Sequence, residues 1–250
     1  MPDSRTAHLP AQMADRLYVA LDFDNGEDAL RMVDRLGETV RCYKVGMELY
    51  FKTGPQILHQ LQEAGKQIFL DLKIHDIPNT AAGAARSCTS FGVSIINVHA
   101  AGGIEMMKQA KQAAIETAAA LSIDRPLVIA VTQLTSTDRQ MMNEQIGIQG
   151  SVEDTVVRYA KLAQEAGLDG VVASGQELAA IRQACGDGFV TVIPGIRPAW
   201  AASNDQKRIL TPADAIKAGA HRLVVGRPIT HADDPQDAAK RILEEMEVSL

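Results

Sequence analysis

The stretch Ala64-Gly65-Lys66-Gln67-Ile68-Phe69-Leu70-Asp71-Leu72-Lys73-Ile74-His75-Asp76-Ile77-Pro78-Asn79-Thr80 decides how this chain is read. Gly65 closes a helical stretch, and the short apolar run at 67–72 reads as a strand. A helix over 79–91 follows, and Gly92 stops it ahead of another strand at 93–98. A strand, a helix and a second strand in that order predict parallel pairing.

The same unit recurs in both directions. Strands are expected at 17–21, 40–45, 67–72, 93–98, 126–131, 170–173, 189–193 and 222–225. Helical stretches are expected at 27–36, up to 63, and at 79–91, 104–120, 152–166, 177–184, 212–218 and 235–248. The pairs Ala64-Gly65, Ala166-Gly167 and Ala218-Gly219 each come just before a strand, where glycine suits the left-handed position after a helix. Eight βα units in 250 residues fit a (β/α)8 barrel in α/β class. The alternative is a doubly wound open sheet. That fold prefers a glycine-rich turn after its first strand, and here the strand ends in Leu21-Asp22-Phe23-Asp24. No linker interrupts the pattern, so residues 16–250 are read as one barrel domain behind an N-terminal extension, 1–15.

Composition narrows the function classes. Apolar residues make up 46% and charged residues 22%, which excludes a disordered chain and a coiled coil. The formal charge of −6 disfavours sequence-independent nucleic-acid binding, which depends on neutralising phosphates. The three cysteines, Cys42, Cys88 and Cys185, are odd in number and form no CxxC pair, so neither a disulfide framework nor a cysteine zinc site is expected. No segment reaches the roughly 18–20 apolar residues of a membrane span. The first fifteen residues lack a signal-peptide core. The expectation is a cytoplasmic protein with no membrane or nucleic-acid partner.

In a barrel, chemistry collects at the C-terminal ends of the strands. The apolar runs end in Asp22, Lys44, Asp71 with Lys73, His99, Pro194-Gly195-Ile196-Arg197 and Gly226-Arg227. The opposite ends show no comparable set. Strand side chains alternate, so Asp71 and Lys73 are expected on one face, with Leu70 and Leu72 on the other. By the same parity Asp22 and Lys44 point inward, while Leu21, Tyr43 and Val45 point to the helices. Four charges, two of each sign, would meet at the barrel mouth. Such a network could simply hold a barrel together, but charges turned inward on three successive strands point to a use. Asp71, His75 and Asp76 could also offer ligands to a divalent ion, although Lys73 among them argues against a tight metal site.

Phosphate signals are separate. Val225-Gly226-Arg227-Pro228 and Pro194-Gly195-Ile196-Arg197-Pro198 follow the last two strands, where many barrels hold phosphate. Glycine exposes backbone N–H groups and arginine supplies a bidentate fork. Residues 199–208 lack apolar periodicity and read either as a loop able to close over a ligand or as plain surface. Trp200, the only tryptophan, lies there without an evident role. Met106-Met107 and Met141-Met142 read as packing. His99 could line the site or be a hydrogen-bonded core histidine.

These motifs resemble the orotidine 5′-phosphate decarboxylase family. The resemblance rests on the block from Asp71 to Thr80. Val19-Ala20-Leu21-Asp22, Tyr43-Lys44-Val45-Gly46, Val131-Thr132-Gln133-Leu134-Thr135-Ser136, Pro194-Gly195-Ile196-Arg197 and Val225-Gly226-Arg227-Pro228-Ile229 add to it, in family order. The loop Pro198-Ala199-Trp200-Ala201-Ala202-Ser203-Asn204-Asp205-Gln206 has less glycine than bacterial members often carry.

The resemblance implies a homodimeric (β/α)8 barrel that converts orotidine monophosphate to uridine monophosphate and CO2, with no metal and no organic cofactor. It implies that Asp71 lies beside the scissile carboxylate and that Lys73 protonates C6. Lys44 would pair with Asp71 and reach the ribose, and Asp22 would bind the ribose. Thr135 would meet the pyrimidine edge, and Gln206, Gly226, Arg227 and Arg197 the phosphate end. Asp76 and Thr80 would be supplied by the partner subunit. Two other readings compete. One is a Mg²⁺-dependent 3-keto-L-gulonate 6-phosphate decarboxylase, which shares the Asp-x-Lys-x-x-Asp array but would want an acidic metal ligand near the end of the first or second strand; here the second ends in Lys44, and the continuation Ile77-Pro78-Asn79-Thr80 favours the first family. The other is a non-catalytic sensor of a phosphate ligand.

Overall fold

The computed structural model describes residues 12–201 and 210–248. Eight parallel strands close into a barrel in sequence order: β1 (Leu17–Ala20), β2 (Cys42–Gly46), β3 (Gln67–Ile74), β4 (Ile95–His99), β5 (Leu127–Val131), β6 (Gly170–Val172), β7 (Val190–Ile193) and β8 (Arg222–Val225). The ring closes where Leu17 pairs with Leu223 and Val19 with Val225. The expected (β/α)8 architecture is therefore the one the chain adopts.

The helices are α1 (Gly26–Leu36), α2 (Met47–Thr53), α3 (Gln56–Glu63), α4 (Pro78–Ser90), α5 (Gly103–Leu121), α6 (Val152–Glu165), α7 (Leu178–Cys185), α8 (Pro212–Lys217), α9 (Arg227–Thr230) and α10 (Pro235–Glu247). The helical stretch expected up to residue 63 is two helices. Gly54 turns left-handed (φ 62°) and Pro55, which has no N–H, starts a new segment. Asn25, Ser151, Thr211 and Asp234 each accept a backbone N–H three residues on and fix the starts of α1, α6, α8 and α10. Each such cap is worth about 1 kcal/mol.

Strand alternation sorts the core into two layers. Tyr18, Ala20, Cys42, Phe69, Ile95, Ile129, Val190, Val192 and Val224 point to the barrel axis. Val19, Leu21, Tyr43, Val45, Leu70, Ile96, Val98 and Val171 point outward and pack under the helices. Both faces of the sheet are covered, which explains why the strands read as nearly unbroken apolar runs. Tyr18 and Phe69 meet edge to face with centroids 6.3 Å apart and fill the axis, so the barrel is a packed core. Gly170 lets β6 close on β7: a Cβ there would lie 2.0 Å from the Val190 carbonyl oxygen.

Charge is not confined to one rim, contrary to the sequence reading. At the N-terminal ends of the strands Arg16 donates to the carbonyls of His221 and Ala220, and Arg182 reaches Gly219 and His221. Asp169 there accepts from Lys111, from Arg125 and from the Val128 N–H. Burial alone would raise the Asp169 carboxyl, but Arg125 and Lys111 hold it below its usual value. Several of these groups precede the apolar runs instead of ending them, and their partners lie far along the chain. Arg16, Asp169 and His221 stand directly before β1, β6 and β8, but their convergence shows only once those distant partners are known. Among the described residues no helix is long and apolar enough to cross a membrane.

Candidate active site

The C-terminal mouth of the barrel holds a cavity of ≈ 320 Å³, within the size range of small-ligand sites. Asp22, Lys44, Asp71 and Lys73 line it together with Gln133, Thr135, Arg197, Gly226 and Arg227, and Gly226 comes close to Asp22: a Cβ there would lie 3.7 Å from Asp22 Oδ2. Thr135 also borders an adjoining hollow that runs past Ser174 and Gly195.

The four charges alternate in sign. Lys44 Nζ donates to Asp22 Oδ1 at 2.6 Å and lies 4.0 Å from Asp71 Oδ2; Lys73 Nζ donates to Asp71 Oδ1 at 2.7 Å. Lys44 is 8% exposed, and a lysine so deep would be costly without these carboxylates. Gly46 makes room for the pair: a Cβ there would lie 3.0 Å from Lys44 Nζ.

Asp71 follows the alternation that sends Phe69 inward. Lys73 lines the cavity with Asp71, while Leu72 and Ile74 pack outward, so the expected alternation holds. The β3–β4 register shifts between Leu70 and Ile74, and Lys73 adopts φ 53°. A non-glycine residue in this region costs on the order of 1–2 kcal/mol. At this irregular point of the strand the Lys73 ammonium sits over Asp71. Sequence parity therefore predicts the meeting of these side chains but misses the irregular backbone at Lys73.

Asn97 on β4 completes the group. Its Oδ1 accepts the Lys73 backbone N–H at 2.8 Å and its Nδ2 donates to Asp71 Oδ1 at 2.7 Å. Sequence reasoning passed over both Asn97 and Gln133. A signal existed for Asn97, since a buried amide in the apolar run Ile95-Ile96-Asn97-Val98 sits at an inward position.

His99 and His75 lie with ring centroids 5.4 Å apart. Burial, then the neighbouring His75 and Lys73, lower the His99 imidazole below its ordinary value, which favours the neutral ring. Burial and the neighbouring Arg227 both lower Arg197. The cavity thus holds two guanidiniums near one another, an arrangement chemically suited to an anion. A second cavity, ≈ 370 Å³, opens beyond them against Trp200 and His231. Arg241 on α10 stacks over the Trp200 ring, 4.1 Å from its centroid.

Asp76 and Thr80 are exposed and do not line the cavity. The Asp76 carboxylate accepts the Ile77 N–H, and Ile77 is 67% exposed. Gln206 lies outside the described residues, as does most of the 199–208 loop; only a short turn at Ala199–Ala201 is described. Among the described residues no three His, Cys, Asp or Glu side chains converge to hold a metal ion, and Asp71, His75 and Asp76 do not form such a group.

Fold and site together define a (β/α)8 barrel whose mouth brings an alternating Asp–Lys array into one cavity with two arginines. The sequence profile of the orotidine 5'-phosphate decarboxylase / HUMPS family matches residues 15–242, and the chain belongs to that family. It is 50% identical over 236 residues to an orotidine 5'-phosphate decarboxylase of Heliobacterium modesticaldum, covering 94% of this chain and 97% of that protein. It is likewise 50% identical over 231 residues to one of Alkalilimnicola ehrlichii, covering 92% and 96%. The crystal structure of orotidine 5'-phosphate decarboxylase from Lactobacillus acidophilus superposes with a TM-score of 0.83 at 38% identity, covering 92% of this chain and 98% of that one. An uncharacterized conserved protein from Geobacillus kaustophilus superposes at 0.81 with 40% identity, covering 92% and 99%.

Proposed function

We propose that the chain decarboxylates orotidine 5′-monophosphate to uridine 5′-monophosphate and CO2, a step of de novo pyrimidine biosynthesis, without metal or organic cofactor. One observation carries this reading: the alternating Asp22–Lys44–Asp71–Lys73 array lines the same cavity as Arg197 and Arg227. Family membership and the decarboxylase relatives support it.

Loss of CO2 leaves an electron pair at C6 of the pyrimidine. With no electron sink in play, electrostatic stabilisation and a proton donor remain. Lys73 supplies both: its ammonium faces the developing charge and its proton replaces the departing carboxylate. Asp71 lies against the substrate carboxylate and keeps Lys73 in place. Lys44 bridges Asp71 and Asp22, and Lys44 and Asp22 hold the ribose hydroxyls. Thr135 reads the pyrimidine edge. Gly226, Arg227 and Arg197, with Gln206, take the phosphate. That end is remote from C6, so its binding energy is available to orient the reacting end.

The working unit in this reading is a homodimer in which Asp76 and Thr80 serve the neighbour's cavity. Their position outside their own cavity supports this, as do the exposed apolar side chains of Ile77 and of Phe51, which is 73% exposed.

The test is turnover of orotidine monophosphate by the purified protein after EDTA treatment. Product and CO2 in equal amounts are expected. No turnover, or turnover that returns only with Mg²⁺, would overturn the cofactor-free reading.

A further inference from the structure

Asn97 is 1% exposed, in the middle of β4. Its neighbours fix the orientation of its carboxamide. The Lys73 N–H can only donate, so it must meet the amide oxygen; the Asp71 carboxylate accepts, so it must meet the amide nitrogen. A flipped amide would set donor against donor and oxygen against carboxylate.

One side chain therefore grips two separate controls on the Asp71–Lys73 pair. Through its oxygen it holds the left-handed backbone of Lys73. Through its nitrogen it holds the same Asp71 oxygen that receives the Lys73 ammonium. Asn97 does not line the cavity, so it acts through these partners.

We propose that Asn97 is a positioning residue of the reaction, fixing where the Lys73 ammonium stands relative to Asp71. The identity of that reaction rests on the decarboxylase reading above. A merely structural asparagine would lower turnover and ligand affinity together, in step with the folded fraction. A positioning asparagine lowers kcat and leaves the phosphate and ribose contacts alone.

Two variants separate its two bonds. Asn97→Leu removes both. Asn97→Asp keeps the shape and the acceptor for the Lys73 N–H but replaces the donor by a second carboxylate, and it carries the test where the leucine variant fails to fold. Three quantities are read on folded protein: kcat, affinity for uridine monophosphate, and hydrogen exchange of the Lys73 amide by NMR. Asn97→Leu should speed that exchange tenfold or more, and Asn97→Asp should leave it within about threefold. Both should lose at least tenfold in kcat, about 1.4 kcal/mol of barrier, with product affinity within about threefold. Retention of kcat within threefold in either variant would overturn the proposal, as would equal losses of kcat and product affinity. If the wild-type protein turns over no orotidine monophosphate, the decarboxylase reading fails by itself. The exchange arm then still decides whether Asn97 holds Lys73: unchanged exchange in Asn97→Leu overturns it, and accelerated exchange sustains it.

Discussion

Lys73 Nζ stands 2.7 Å from Asp71 Oδ1, two residues back on the same strand, and the backbone at Lys73 itself turns left-handed. A regular strand would place both side chains on one face, about 7 Å apart along the chain. The lysine stem spans that separation and sets the ammonium on the carboxylate.

The ammonium is the proton donor in the proposed reaction, so its removal has a sharp signature. Lys73→Ala should abolish nearly all turnover and leave affinity for uridine monophosphate largely intact. A residual rate within about tenfold of wild type, roughly 1.4 kcal/mol, would sink the assignment. Parallel loss of affinity would mark a structural role.

Arg227 should matter only when phosphate is present. Arg227→Ala should lower kcat/KM for orotidine monophosphate by about two orders of magnitude or more, roughly 3 kcal/mol, as expected for a charge-assisted pair. Decarboxylation of the unphosphorylated nucleoside should barely change. Equal damage with both substrates would show that Arg227 does not act through phosphate.

The shared site can be tested by complementation. Lys73→Ala and Asp76→Ala homodimers should each be nearly inactive. In a mixed dimer with the proposed exchange, one site carries both lesions and the other carries none. Random pairing makes about half the dimers mixed, so about a quarter of wild-type activity should return after co-expression. A verified heterodimer without activity would place Asp76 in its own chain's site and leave the decarboxylase reading standing.

The opposite rim gives a prediction about stability. Thr191 N–H donates to His221 Nδ1, and Arg182 reaches the same nitrogen at 2.7 Å. Burial, followed by Arg182, Arg222 and Arg16, pulls the imidazole from 6.5 down to about 4. The folded state therefore resists a proton that the unfolded chain takes up near pH 6.5. His221 contributes nothing adverse above that pH, and stability falls as pH drops from about 6.5 toward 4, by on the order of 3 kcal/mol in all. Urea midpoints across this range should fall less steeply for His221→Gln, whatever its stability at neutral pH. An unchanged slope would contradict the neutral buried ring.

What the sequence discloses depends on the physical range of each signal. The barrel is legible because the βα unit is local and is written eight times in glycine stops and apolar runs. Asp22, Lys44, Asp71 and Lys73 are legible because they break those runs at the same end. Asn97 breaks a run as well, but an amide inside a strand reads as noise until its partners, 24 and 26 residues away, are known. The left-handed turn at Lys73 leaves no mark in residue type, since lysine carries no preference for it. The basic cluster of Arg16, Arg182 and Arg222 is assembled from positions up to about 200 residues apart, and no local pattern announces it.

Trp200 lies against Arg241 of the last helix and borders the cavity that Arg197 and Arg227 share with the mouth. It is the chain's only tryptophan, so the protein has a single native source of indole emission. A phosphate ligand that draws either arginine away should change that emission without any added label. Loosening of α10 should change the same band. A ligand titration in mild denaturant, followed at one wavelength, would then report occupancy and the fraying of the C-terminal helix as two distinct transitions.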